Sequence, residues 1–218
     1  MKKLLSHLII CSILLCKTAL AQDAESLVQS VRARLEKIDH YEADALLKTE
    51  IPYLKVPDAQ VKVFYKRPDQ IRIVNEKGIS LVPRGSVNIS LYSLLSSPHQ
   101  ALDAGKGECR EIPVRIVKLL PTDEKGELVL ATLFIEPKTL EVLRALITTR
   151  DNGTHTLEFY YGKNQVNDLP EKILFSFNTE NFKLPKGVTF DYDDGKEKAK
   201  GPVSRRGKLE ITFLKYRF

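Results

Sequence analysis

The run Tyr41-Glu42-Ala43-Asp44-Ala45-Leu46-Leu47-Lys48-Thr49-Glu50-Ile51 decides how this 218-residue chain is read. Tyr41, Ala43, Ala45, Leu47, Thr49 and Ile51 alternate with Glu42, Asp44, Lys48 and Glu50, and only Leu46 breaks the pattern. A period of two sends alternate side chains to opposite faces, so the run predicts a strand with one face buried and one in water. Immediately before it the period is helical. Leu27, Val31, Leu35 and Ile38 recur at intervals of four, four and three, forming one apolar stripe with Asp23 available as its cap. Gln29, Arg32, Arg34, Glu36 and Lys37 fall mostly on the other side. His40 is expected to close the helix, where a cation suits the dipole. A helix this amphipathic must lie against an apolar surface.

After Tyr41 the two-residue period persists. Val61, Val63 and Tyr65 alternate with Gln60, Lys62 and Phe64, and Ile71 and Ile73 flank Arg72. Turn signals bound them at Val56-Pro57-Asp58, Arg67-Pro68-Asp69 and Lys77-Gly78. Further strands are predicted over 114–120, 128–135, 142–149, 154–161, 172–177 and 209–216. Asp151-Asn152-Gly153 makes a tight hairpin because Asn-Gly accepts positive φ, and Glu136-Pro137-Lys138-Thr139 makes a second turn. About nine strands in succession joined by short polar turns predict one long antiparallel meander. Leu91, Leu94 and Leu95 before Ser97-Pro98 predict a short helical interruption within 86–102. No βαβ alternation and no glycine-rich phosphate loop occur, which excludes a nucleotide-binding α/β fold. In 128–135 both faces are apolar, so the sheet is either covered on both sides there or exposes an apolar binding surface.

The first 21 residues have a different character. Met1-Lys2-Lys3 precedes the apolar run 4–16, and Ala19-Leu20-Ala21 stands before Gln22-Asp23. Charge, apolar core and an A-x-A site predict a secretory signal peptide over 1–21, with cleavage between Ala21 and Gln22. The run is too short to span a bilayer, which takes about 20 residues. Leu14 and Leu15 stand before Cys16, where a lipoprotein peptidase needs small residues, which argues against an anchor there. The expected product is one domain, 22–218, released into the periplasm. Losing Lys2, Lys3 and Lys17 lowers the formal charge from +6 to +3, so the basicity gives little support to nucleic-acid binding. Cys11 and Cys16 leave with the leader, and Cys109 is expected as a lone buried thiol.

Little catalytic equipment is visible. His40, His99 and His155 belong to no local metal or nucleophile motif such as HExxH or GxSxG. Asp191-Tyr192-Asp193-Asp194-Gly195 begins like a calcium loop, but Gly195 and Pro202 stand where the EF-hand needs acidic ligands. It reads as a solvated turn. Lys196, Lys198, Lys200, Arg205 and Arg206 read as a charged loop or a contact for anionic headgroups or an acidic partner. The expectation is a protein that is not an enzyme and carries no cofactor and no metal.

Two stretches bring a family into view. Phe64-Tyr65-Lys66-Arg67-Pro68-Asp69-Gln70-Ile71-Arg72 resembles the strand that ends in Lys-Arg-Pro in the periplasmic lipoprotein carriers of diderm bacteria, the LolA-like proteins. Phe175-Ser176-Phe177 followed by Leu184-Pro185-Lys186-Gly187-Val188 resembles the same family's closing Phe-x-Phe and Pro-x-Gly-Val stretch. The resemblance implies a mainly β (α+β) fold: an incomplete antiparallel β-barrel of about nine to eleven strands, covered by the N-terminal amphipathic helix and a short helical lid. It implies a monomer whose apolar hollow shelters acyl chains of a lipoprotein or lipid, working with the sorting machinery of the inner or outer membrane. The arginine of the Lys-Arg-Pro element, here Arg67, would latch the lid. Leu27, Val31, Leu35, Val61, Val63, Tyr65, Leu130, Phe134, Phe159, Phe175 and Phe177 are the candidate lining. Strand parity stays open, because a one-residue slip exchanges the faces. Relatives on this fold also include regulators that bind membrane-bound signalling proteins, which is the alternative function.

Overall fold

A computed structural model describes residues 24–52, 56–68, 70–75, 90–123, 125–162, 169–178 and 206–218. The signal peptide and its cleavage site at Ala21 and Gln22, Cys11, Cys16, the Asp23 cap, the stretch 184–188, the loop 191–195 and the basic residues 196–205 lie outside them. Helix α1 covers 24–35. Strands β1 (His40–Glu50), β2 (Ala59–Lys66) and β3 (Gln70–Asn75) follow, then helix α2 (Leu91–Ser96). The remaining strands are β4 (His99–Cys109), β5 (Ile112–Pro121), β6 (Leu128–Glu136), β7 (Glu141–Thr149), β8 (Gly153–Tyr160), β9 (Lys172–Asn178) and β10 (Arg206–Arg217).

All ten strands form one antiparallel sheet in the order β3-β2-β1-β10-β9-β8-β7-β6-β5-β4. The sheet is open, with β3 and β4 at its edges, so the incomplete barrel expected from the resemblance is the architecture found. The single meander is corrected. There are two runs, β1 to β3 and β4 to β10, and β10 returns between β1 and β9. The connection from β3 to β4, which carries α2, links the two edges.

Strand β4 accounts for the tenth strand, since 99–102 had been assigned to the helical interruption. Its sequence hides it. The pairing with β5 shifts between Asp103 and Lys106, where Gly105 takes φ +92°. At Gly107 a Cβ would meet the tip of Ile116, Cδ1, at 2.8 Å, so any side chain there would have to push that methyl aside. The turn that follows places Arg110 and Glu111 at φ 52° and 63° without glycine or asparagine.

The register fixes the parity that sequence left open. Ala43 faces Val63, Ala45 faces Phe213, Val63 faces Ile73, and Leu157 faces both Ala145 and Phe175. In β1, β2, β3, β8 and β9, and in β10 as far as Phe213, the odd-numbered residues form the inner face. Two cores lie along it. Over β5 to β8 the helices fill the inside, with Ala24, Val28, Val31, Leu94 and Leu95 packed on Val117, Leu133, Ile135 and Ile147. Over β1, β2, β9 and β10 the strands carry a second cluster that includes Ala45, Val61, Phe175, Phe177 and Ile211.

The buried stripe of α1 runs through Ala24, Val28 and Val31, with Leu27 and Leu35 on its flanks. Two expectations at its end need correcting. The helix stops at 35, so His40 opens β1 and caps nothing. Arg34, expected on the wet side, is only 8% exposed because its guanidinium pairs with Glu141 on β7 at 3.4 Å. The apolar outer side of β6 is covered at one end and open to solvent only at Val129 at the other. At the covered end the β4–β5 hairpin tip leaves the β5–β6 ladder, which stops at Arg115, and covers Phe134 with Cys109, Val114 and Leu143.

Candidate functional site

The half of the inner face not filled by the helices bounds an apolar hollow of about 160 Å³. Strands β1, β2 and β3 contribute Tyr41, Val63, Tyr65, Ile71 and Ile73, and β8, β9 and β10 contribute Leu157, Phe159, Ile173, Phe175, Leu209, Ile211 and Phe213. Leu35 and Ile38 enter from the end of α1, Ser90, Leu91 and Tyr92 from the start of α2, and Tyr161, Leu169 and Pro170 from the β8–β9 connection. Every strand residue here is odd-numbered, so the alternation first read in 41–51 is what builds the wall.

The polar atoms of the lining are hydroxyls. Tyr41 and Tyr65 stack with centroids 5.1 Å apart, and Tyr65 is hydrogen-bonded to Ser90. Burial holds the Tyr41 phenol well above its ordinary range, and burial also raises that of Tyr65. Both are neutral donors or acceptors and not acids. Behind them Tyr216 packs edge-on to Tyr41 at 5.2 Å and donates from its hydroxyl to the Pro170 carbonyl at 2.7 Å.

Arg67 ties the pieces around this end together. Its Nη1 donates to the Glu36 carbonyl at 2.6 Å, and its Nη2 meets Asp39 Oδ1 at 3.2 Å. Its guanidinium also lies over the Tyr92 ring, 5.8 Å from the centroid. From α2, Tyr92 donates to Glu36 Oε1 at 3.3 Å and Ser93 Oγ to the Pro68 carbonyl at 3.3 Å. The end of α1, the β2–β3 turn and α2 are therefore joined by polar contacts at or near the surface, while Leu91 and Tyr92 face the hollow.

The sequence-based candidates divide by position. Leu35, Val63, Tyr65, Phe159 and Phe175 line the hollow. Val31 is buried between α1 and the sheet, and Leu27 packs beside it. Val61 and Phe177 are buried in the second core, with Phe177 stacked on Phe175 at 5.3 Å. Leu130 and Phe134 sit on the outer face of β6, because its inner residues are Ala131, Leu133 and Ile135. The lining residues not singled out, such as Tyr41, Ile73, Ile173 and Phe213, belong to predicted strands, and only a fixed parity would have selected them. Tyr161 ends the predicted strand 154–161, one residue past the end of β8, and Leu169 lies beyond any predicted strand, where no periodicity points to it.

His155 is on the inner face beside Phe175, with ring centroids 5.5 Å apart, and desolvation lowers its pKa. Cys109 is free and buried under the hairpin tip. Among the described residues no three His, Cys, Asp or Glu side chains converge to hold a metal ion.

The chain matches no protein-family model and no curated protein by sequence. Solved structures do match it. A domain named as an outer membrane lipoprotein-sorting protein from Vibrio parahaemolyticus aligns with 91% of this chain and 93% of its own at a TM-score of 0.60 and 11% identity. A DUF1329 family protein from Desulfovibrio piger covers the same shares at 0.58 and 11% identity. A LolA superfamily protein from Nitrosomonas europaea aligns over 88% of this chain and 93% of its own at 0.51 and 8% identity. The fold of this chain is the one these three structures share.

Proposed function

We propose that the protein is an exported, non-catalytic binding protein that shields the acyl chains of a lipoprotein or lipid in its hollow. The observation that carries this reading is a continuous apolar lining whose cover, Leu91 and Tyr92 at the start of α2, is tied to its surroundings by polar contacts at or near the surface. Acyl chains leave water with about 0.8 kcal/mol per methylene. Opposing this is the cost of lifting α2: a few hydrogen bonds of about 0.5–1.5 kcal/mol each, and about 1.5–3 kcal/mol for each of Leu94 and Leu95 drawn out of the main core. Uptake and release then need only a change in the surroundings, with no covalent step. The leader over 1–21 motivates export to the periplasm and a mature chain beginning at Gln22 as one domain. The lipoprotein-sorting name carried by the Vibrio structure supports a carrier role. Acidic and basic groups are spread over the outer face in pairs such as Lys48–Glu50 and Arg144–Glu158, which does not favour nucleic acid as a partner.

The test is mass spectrometry of protein released from its native envelope without detergent. Acyl-bearing molecules at near-stoichiometric amounts are expected. Folded protein that carries none, and takes none up after delipidation, contradicts the reading.

A further inference from the structure

We propose that the hollow selects an acyl chain ending in an uncharged, hydrogen-bonding group, held with that end at the lid, and rejects fatty-acid anions. This rests on the acyl-binding reading and narrows its ligand. Charge is the first reason. Among the described residues that line the hollow there is no Asp, Glu, Lys, Arg or His. A carboxylate drawn into such a lining loses its hydration and meets no counter-charge, a cost that hydrocarbon burial does not offset. Two guanidiniums reach lining rings, and both are engaged. Arg34, 5.6 Å from the Tyr161 centroid, pairs with Glu141, and Arg67, over Tyr92, pairs with Asp39.

Polarity supplies the direction. Tyr41 lies near the start of β1, Tyr65 lies near the end of β2, and Ser90 and Tyr92 belong to the lid, so their hydroxyls gather at one end. Elsewhere the wall is built by Ile73 of β3, Phe175 of β9, and Leu209 and Ile211 of β10, with no polar side chain among them. An ester or alcohol fits the hydroxyl end and a methyl terminus the apolar wall.

Competition against a bound fluorescent single-chain probe tests this, using dodecanoyl compounds at pH 8. Monododecanoylglycerol should displace the probe at concentrations about tenfold or more below dodecanoate. Equal displacement by dodecanoate overturns the inference and leaves acyl binding standing. No saturable probe binding at all overturns both. The double variant Tyr41→Phe/Tyr65→Phe keeps the rings and removes two hydroxyls. It should weaken monododecanoylglycerol about tenfold while leaving a hydroxyl-free, ester-free hydrocarbon probe unaffected. An unchanged preference refutes the placement of the end group.

Discussion

Arg34 and Arg67 are both near the end of α1, and their surroundings give them opposite duties. Arg34 and Glu141 are about nine-tenths buried, so removing one partner strands a charge in the core. Arg34→Met should destabilise the protein by on the order of 3 kcal/mol, and adding Glu141→Leu should recover most of that loss. A double-mutant cycle by urea unfolding checks it, and additive losses would sink the assignment. Arg67 is 32% exposed and its partner Asp39 is 65% exposed, so solvent screens that pair and leaves the Glu36 carbonyl bond as the main contact. Arg67→Leu should cost only about 1 kcal/mol, a fall in Tm of about 2–4 °C. Its functional effect should be larger. Unlatching α2 raises the population of the open state, so acyl probes should bind more tightly and pass to an acceptor membrane more slowly. Wild-type transfer rates in a stopped-flow assay would show that Arg67 does not govern the lid.

At the scale of elements, the β4–β5 hairpin is held at its tip by one side chain. Arg110 donates to the Phe159 carbonyl at 2.7 Å and stacks over Tyr160 at 4.1 Å, which pins the tip on the outer face and buries Cys109. Arg110→Ala should let the tip open locally while the sheet stays folded. In protein beginning at residue 22 Cys109 is the one cysteine, so thiol labelling reads that opening. Labelling should speed up about tenfold with Tm changed by only a few degrees; an unchanged rate refutes the pin. The same hairpin shows where sequence stops being legible. Alternation exposed β1 and β2 because each has one apolar face against the core, and a continuous apolar run exposed β6. In Asp103-Ala104-Gly105-Lys106-Gly107 a bulge resets the period and glycines replace side chains, so no periodicity remained to be read. Helix α1 was visible from its stripe, but burial of Arg34 depended on Glu141, 107 residues away, and no local pattern carries that.

For the whole molecule, the resemblance on the Arg67-Pro68 turn and Phe175-Ser176-Phe177 led to the right architecture, while the hollow depended on parity and topology. Phe175, Leu209 and Ile211 meet Val63 and Ile73 across the hollow only because β10 slots between β1 and β9. The helices then plug one half of the concave face and leave the other half free. The central claim is that this free half is a site for an acyl chain. Titration of delipidated protein with a fluorescent acyl probe, comparing wild type with Ile71→Trp, tests it most directly. Ile71 lines the hollow from the edge strand β3, where added volume fills the space with least disturbance to the sheet. The account predicts saturable one-to-one binding by the wild type and binding about tenfold or more weaker in the folded variant. Equal binding by both proteins, or none by either, would contradict it.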